Sequence, residues 1–237
     1  MAERIWAIDF ARGIAILMMA LFHFLFDIDY LGYAEIALYS GFWGLFQKAT
    51  ISLFLLLVGI NIAITYSKRK DYFLEHMLKR SAFLFFMAML ITAVTAILFP
   101  QNAIYFGIIH MISVSLLVSI PFAGKKMHSL IAGLLLILIP VAIDISGFNM
   151  PLLLWAGFSM PMPTFDFVPM VPWLGIVLIG IAVWGWMENA VKKIKMPVQM
   201  EFASETVSFL GRNSLAIYLI HQPIIFGTLF LLKSAGM

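Results

Sequence analysis

Seven stretches of this chain are each about as long and as apolar as a bilayer core is thick, and nothing else in the sequence restricts the fold so strongly. They lie near residues 10–30, 43–66, 80–99, 103–122, 127–146, 170–189 and 209–233. A membrane span needs roughly 20 apolar residues. Inside lipid every backbone N–H and C=O must be paired within its own segment, so the pattern predicts an all-α, polytopic helical bundle of about seven spans. Charge cannot rescue a soluble alternative. Only 11% of the residues are charged against 63% hydrophobic, with mean hydropathy +1.01, far from the composition of a soluble globular domain. Residues 1–237 read as one transmembrane domain without internal repeats or low-complexity tracts. The first apolar run lacks a small-residue cleavage site, so it is expected to stay attached as a helix.

The connections between the spans alternate in charge. Arg4, Arg12, Lys68, Arg69, Lys70, Lys79, Arg80, Lys125, Lys126, Lys192, Lys193, Lys195 and Arg212 fall on one side, leaving Lys48 and Lys233 for the other. Thirteen against two places the N-terminus in the cytoplasm and the C-terminus outside. The longest outer connection, residues 147–169, holds Pro151, Pro161, Pro163 and Pro169 with Trp155 and Asp166. The prolines bar a regular helix there. The segment is either a binding rim or a passive interfacial strip.

Ionisable side chains at membrane depth are costly, which makes them the first candidates for function. His23, His110 and His221 occupy three different spans, each roughly 20 Å from the inner edge at ~1.5 Å per residue. One such histidine is ordinarily a packing residue, whereas three at one level predict a buried site. Arg12 and His23 share a face of the first helix, about 16 Å apart along its axis. Asp27, four residues beyond His23, is placed to pair with its imidazole as a general base requires. Asp9, one turn before Arg12, reads equally well as that arginine's structural partner.

In the last span Ser214, Tyr218 and His221 follow at i, i+4 and i+7 on one face, and Pro223 frees a carbonyl just beyond. Arg212 is nine residues before His221 and points away from it unless the helix bends between them. Asn61 sits near the inner end of the second span. Pro172-Trp173 opens the sixth, where Trp ordinarily anchors an interface. Gly107, Ser113 and Ser115 around His110 suit close helix packing. The sequence contains no cysteine, no His-Glu-x-x-His, no phosphate loop and no nucleophile elbow. No metal is expected, and a net charge of +3 gives no nucleic-acid footprint.

Several of these residues carry a resemblance. Arg4-x4-Asp9-x2-Arg12-Gly13 continuing to His23 resembles the first helix of the transmembrane acyltransferase superfamily, whose acyltransferase-three members share an Arg-x10-His signature. Gly211-x-Asn213-Ser214-x3-Tyr218-x2-His221 resembles the last helix of heparan-alpha-glucosaminide N-acetyltransferases and their prokaryotic relatives. Phe106-Gly107-x2-His110 and Pro172-Trp173-Leu174-Gly175 are similar to further signatures of those relatives. The resemblance spans nearly the whole chain. It implies a cell-membrane enzyme that moves an acetyl group from cytoplasmic acetyl-CoA to a sugar hydroxyl or amine of an extracytoplasmic glycan or glycolipid. On that reading Arg12, Asn61, Asn213 and Ser214 receive the donor. His23 with Asp27 acts as the base, and His221 or His110 assists. Trp173, Tyr218 and Asp166 face the acceptor.

Two departures shape these expectations. The lysosomal enzyme's proposed catalytic histidine lies in the loop after the first helix, and residues 28–42 here contain none. An acyl-histidine at that loop is therefore excluded. The chain is also shorter than relatives with ten or eleven helices, so acceptor-binding parts are expected to be reduced or supplied by a second copy in a homodimer. The main rival function is a proton- or ion-coupled transporter using the histidine layer, which calls for inverted repeats that are not found. A seven-helix retinal protein or receptor has its N-terminus outside, against the charge bias.

Overall fold

The computed structural model describes residues 5–143, 150–159, 163–191, 193–194 and 201–236. Arg4, Pro161, Lys192, Lys195 and the end of the expected fifth span lie outside the described residues. Among those described the chain is helical, with one isolated bridge between Phe106 and Phe167. The helices are α1 Trp6–Tyr30, α2 Gly41–Lys68, α3 Phe73–Leu98, α4 Ile108–Val118, α5 Lys126–Ala142, α6 Met170–Val191, α7 Glu201–Arg212 and α8 Ser214–Ser234. α1, α2, α6, α8 and the segment Lys70–Leu98, which contains α3, are long and apolar enough to cross a membrane. This is an integral membrane protein.

Two of the seven expected spans hold shorter helices than expected among the described residues. α4 has 11 residues and α5 has 17, about 16 Å and 26 Å of helix against a hydrocarbon core of roughly 30 Å. The expected span at 103–122 is shortened from both sides. Residues 103–107 are irregular, joining Phe167 through the Phe106 bridge. Past Val118 the chain tightens into a 3-10 turn, Ile120–Phe122, that includes Pro121. Hydropathy alone counts such residues as span, because the loop around them is as apolar as a helix.

A second correction is α7. The connection expected over residues 190–208 turns helical at Glu201, in a 12-residue helix that runs on to Arg212, and the helix expected over 209–233 breaks at Asn213. Asn213 (φ −103°, ψ 17°) starts a new helix there. Glu201, Glu205 and Arg212 keep the mean hydropathy of α7 low, so it carries no membrane-span signal.

The helices group into two compact units, Met1–Phe54 with Asn189–Met237, and Leu55–Glu188. In the first, α1 packs on α7 and α8. Gly13 and Gly211 set the α1–α7 crossing. A Cβ on Gly13 would fall on the Val207 carbonyl, and one on Gly211 would fall on the Asp9 carbonyl. Only hydrogen at both positions lets the two backbones touch. Ser204 and Ser208 extend the buried small face of α7. At the other end of α1, Gly32 (φ 72°) ends the helix, and the Tyr33 N–H returns to Ile28 O at 2.9 Å. The following loop is tied to α8, with the Tyr33 hydroxyl donating to Leu229 O at 2.9 Å and Lys233 donating to Leu31 O.

In the second unit the same device joins α2 to α6. A Cβ on Gly59 would fall on the Val177 carbonyl, and one on Gly180 on the Leu56 carbonyl. α3 and α4 are cross-linked by the Ser81 hydroxyl, which donates to Ser113 O at 2.7 Å. The proline-bearing connection folds back onto the segment just before α4. Phe165 N–H donates to Asn102 O and Val168 N–H to Phe106 O, each at 3.1 Å.

Candidate active site

α1 and α8 bring two of the three expected histidines together. The rings of His23 and His221 lie 4.8 Å apart between centroids, at 80° to one another. His23 Nδ1 is 2.9 Å from Met19 O, and His221 Nδ1 is 2.6 Å from Tyr218 O. A carbonyl only accepts, so each Nδ1 carries the proton and donates to its own helix. The basic lone pair of each neutral imidazole is then on Nε2. His221 is 8% exposed, and its buried Nε2 has no hydrogen-bond partner among the described residues. Among the described residues His23 Nε2 has no partner either. Backbone carbonyls one turn back thus fix both rings in the tautomer that a base needs, without help from a carboxylate.

That arrangement changes the part expected of Asp27. It is fully buried on α1, and its Oδ1 accepts from Gln222 Nε2 at 2.7 Å rather than from His23. A side chain across the helix interface holds the carboxylate, while the intrahelical carbonyl takes the imidazole N–H. Gln222 was not singled out in the sequence. The criterion that finds the histidines, a polar group in the middle of an apolar span, also finds it. Tyr218 flanks the pair, its ring 5.4 Å from that of His221.

At the other end of α1, Arg12 Nη1 lies 3.1 Å from Asp9 Oδ1 and 3.3 Å from Gly211 O. The two stretches that carry the resemblance, Asp9 to Gly13 and Gly211 to Ser214, therefore meet in space. Asn213 Nδ2 donates back to Phe209 O at 2.9 Å, and Ser214 is the first residue of α8. Arg212 is exposed and lies over the Phe209 ring within its own turn. The break at Asn213 is the bend on which its direction depends.

His110, Asn61, Trp173 and Asp166 belong to the second unit. His110 uses both ring nitrogens. Nδ1 accepts from Gly107 N–H at 3.3 Å, and Nε2 is 3.3 Å from Thr92 Oγ1, which itself donates to Ile104 O at 2.6 Å. The proton therefore sits on Nε2, the opposite tautomer to that of the α1–α8 pair. Asp166 Oδ2 accepts from Ile108 N–H at 2.8 Å and so caps the start of α4. Burial pushes its carboxyl up to about 6, opposed by that hydrogen bond. Asn61 Nδ2 donates to Leu57 O at 2.6 Å. Trp173 is partly buried at the start of α6. Among the described residues no three His, Asp or Glu side chains gather as a metal site.

Comparison with known proteins gives one finding. The family model described as heparan-alpha-glucosaminide N-acetyltransferase, catalytic, matches residues 4–223, which take in both histidines of the pair and both helix ends at the α1–α7 crossing. No curated protein and no solved structure matches the chain.

Proposed function

The chain belongs to the heparan-alpha-glucosaminide N-acetyltransferase catalytic family, and on that premise we propose that it transfers an acetyl group from acetyl-CoA to a sugar hydroxyl or amine. Enzymes of this family use acetyl-CoA as donor in general. In this reading the donor enters from the cytoplasm, and the acceptor is a glycan or glycolipid on the outer side of the cell membrane. The observation that carries the proposal is the His23–His221 pair, with both Nδ1 atoms committed to backbone and both Nε2 atoms open.

Arg12 suits the donor's phosphates, since a guanidinium binds phosphate through paired donors. Ser214 supports it with the first-turn amides of α8, a helix start that favours anions. Asn213 stands at the same helix start. Asn61 is retained as a donor contact on its sequence position near the inner end of the second span. Arg12 and His23 are about 16 Å apart along α1, a distance that a pantetheine arm spans. Acetyl-CoA supplies the activated acyl carbon.

His23 Nε2 takes the proton of the acceptor hydroxyl or amine. The hydroxyl oxygen, or the amine nitrogen through the lone pair it already carries, forms the bond to the acyl carbon as that proton leaves, and the carbon–sulfur bond breaks. The imidazolium returns its proton to the departing thiolate. His221 stands against His23 and favours one charge between the two rings, since neighbouring imidazolium ions repel.

The test uses purified full-length protein in lipid nanodiscs with labelled acetyl-CoA and glucosamine. Transfer is expected from the wild type. His23→Ala should lower the rate by about 10²- to 10⁴-fold with donor binding retained. Near-normal turnover in His23→Ala with loss in His221→Ala would move the base to α8. Turnover unaffected in both would remove the site altogether.

A further inference from the structure

The turn between α2 and α3 carries a group of charges that acyl transfer leaves unused. Arg69 precedes the 3-10 turn Lys70–Tyr72, and its Nη1 donates to His76 Nδ1 at 3.4 Å. A guanidinium can only donate, so the imidazole accepts on Nδ1 and carries its proton on Nε2. Arg80 stands one turn beyond His76 on α3, with its guanidinium 5.9 Å from the centre of the Phe83 ring. Lys79 is neutralised by Glu75 on the neighbouring stripe of the helix. Among the described residues Arg69 and Arg80 have no carboxylate partner.

Beyond Arg80 the stripe turns apolar. Counted from His76, Arg80, Phe83, Met87, Leu90 and Val94 follow at i+4, i+7, i+11, i+14 and i+18, one face of the helix. Phe83 and Leu90 are each 46% exposed and Val94 is 53% exposed, so the stripe faces outward rather than into the bundle. From Arg80 to Leu90 is about 15 Å of helix, half of a hydrocarbon core roughly 30 Å thick. The stripe is therefore one leaflet long, with cations at its head.

We propose that it binds one anionic phospholipid. Arg69, His76 and Arg80 hold the phosphate, and an acyl chain lies along Phe83, Met87 and Leu90. Guanidinium groups bind phosphate oxygens through paired N–H donors, and the Nε2–H of His76 supplies a further one. Neighbouring cations on a helix repel one another, and an anion between them relieves that cost. Arg80, its guanidinium over an aromatic ring at the start of the apolar run, marks the level where a phospholipid changes from phosphate to chain. Orientation in the membrane accounts for basic residues in this loop. It asks for no register between them and an apolar stripe. A soluble phosphate ester would use the cations and leave the apolar run idle, so the run commits the site to a lipid.

Native mass spectrometry of the full-length protein in detergent, titrated with dioleoyl phosphatidylglycerol or dioleoyl phosphatidylcholine, reads the preference. The wild type is expected to bind one phosphatidylglycerol about tenfold more tightly than phosphatidylcholine. Arg69→Gln combined with Arg80→Gln should weaken phosphatidylglycerol by about thirtyfold and abolish the preference. Both side chains are exposed, and an unchanged melting temperature in detergent confirms that the variant is folded. Lys193→Gln removes another exposed basic residue from the same side of the membrane and should leave the affinity nearly unchanged. Equal affinity of the wild type for the two lipids, or a comparable loss in Lys193→Gln, would reduce these residues to orientation signals and overturn the proposal. Displacement of the lipid by excess inorganic phosphate or acetyl-CoA would assign the cations to a soluble phosphate and overturn it as well.

Discussion

His110 has no lone pair to spare, whereas His23 and His221 each have one. The difference comes from the carbonyls within reach. On α1 and α8 an imidazole in mid-helix donates to the carbonyl of the preceding turn, which leaves Nε2 open. On α4 the imidazole stands at the helix start, where Nδ1 meets the unpaired N–H of Gly107. His110 holds the α4 entry against Thr92. His110→Ala should lower stability by about 1–3 kcal/mol, because the Gly107 N–H loses its acceptor. His110→Gln, which restores an acceptor, should recover part of the loss. Thermal unfolding in nanodiscs measures both. A hundredfold fall in kcat for the folded His110→Ala protein would return it to the catalytic group. A sequence shows the spacing of histidines but not which neighbouring group each ring will meet, so the three looked alike.

At the scale of elements, helices form where the apolar runs are and end where single residues dictate. α1, α2, α3, α6 and α8 were legible from hydropathy because each is a long run bounded by charge or glycine. α7 was not legible by that measure. Its signal lies in Ser204, Ser208 and Gly211, small residues at helical spacing with charges between them. The reason for those residues appears only when α1 lies against them. Gly211→Val should therefore separate α7 from α1, lowering both stability and donor affinity, since Arg12 bonds to the Gly211 carbonyl. Binding of labelled coenzyme A and the melting temperature test this together, and unchanged values for both would remove the crossing from the account.

The start of α4 gives a pH test. The folded protein holds Asp166 near 6, above its unfolded value of 3.8. A raised acid contributes stability that is fully present below the unfolded value and is lost as pH rises through the folded one. The melting temperature should therefore fall between about pH 4 and pH 7. Asp166→Asn keeps an oxygen for the Ile108 N–H and should flatten that slope. A wild-type slope of opposite sign would show that Asp166 is charged and stabilised in the fold.

For the whole molecule, direction across the membrane decides which face meets the donor. The basic residues argue for a cytoplasmic N-terminus, so a reporter fused after residue 70 should read cytoplasmic and one after residue 155 external. The opposite pattern would put the Arg12 end of α1 on the outer side and remove cytoplasmic acetyl-CoA from the proposal. The all-helical membrane fold and the candidacy of His23, His221 and Arg12 could be read from one sequence, because each rests on a local property such as hydropathy, burial cost or helical phase. The Asp27–Gln222 bond and the Gly13–Gly211 crossing could not. Each depends on two residues nearly the whole chain apart.

That separation bears on biosynthesis. Arg12 and its partner carbonyl at Gly211 are 199 residues apart, and Asp27 and Gln222 are 195 apart. α1 leaves the ribosome well before the helices that cover its polar face. While the 195 residues that separate Asp27 from Gln222 are made, Asp27 and His23 wait in the bilayer or at the translocon without their α8 neighbours. The nascent protein therefore passes through a long stage at which intramembrane chaperones and proteases can recognise the bare polar face of α1.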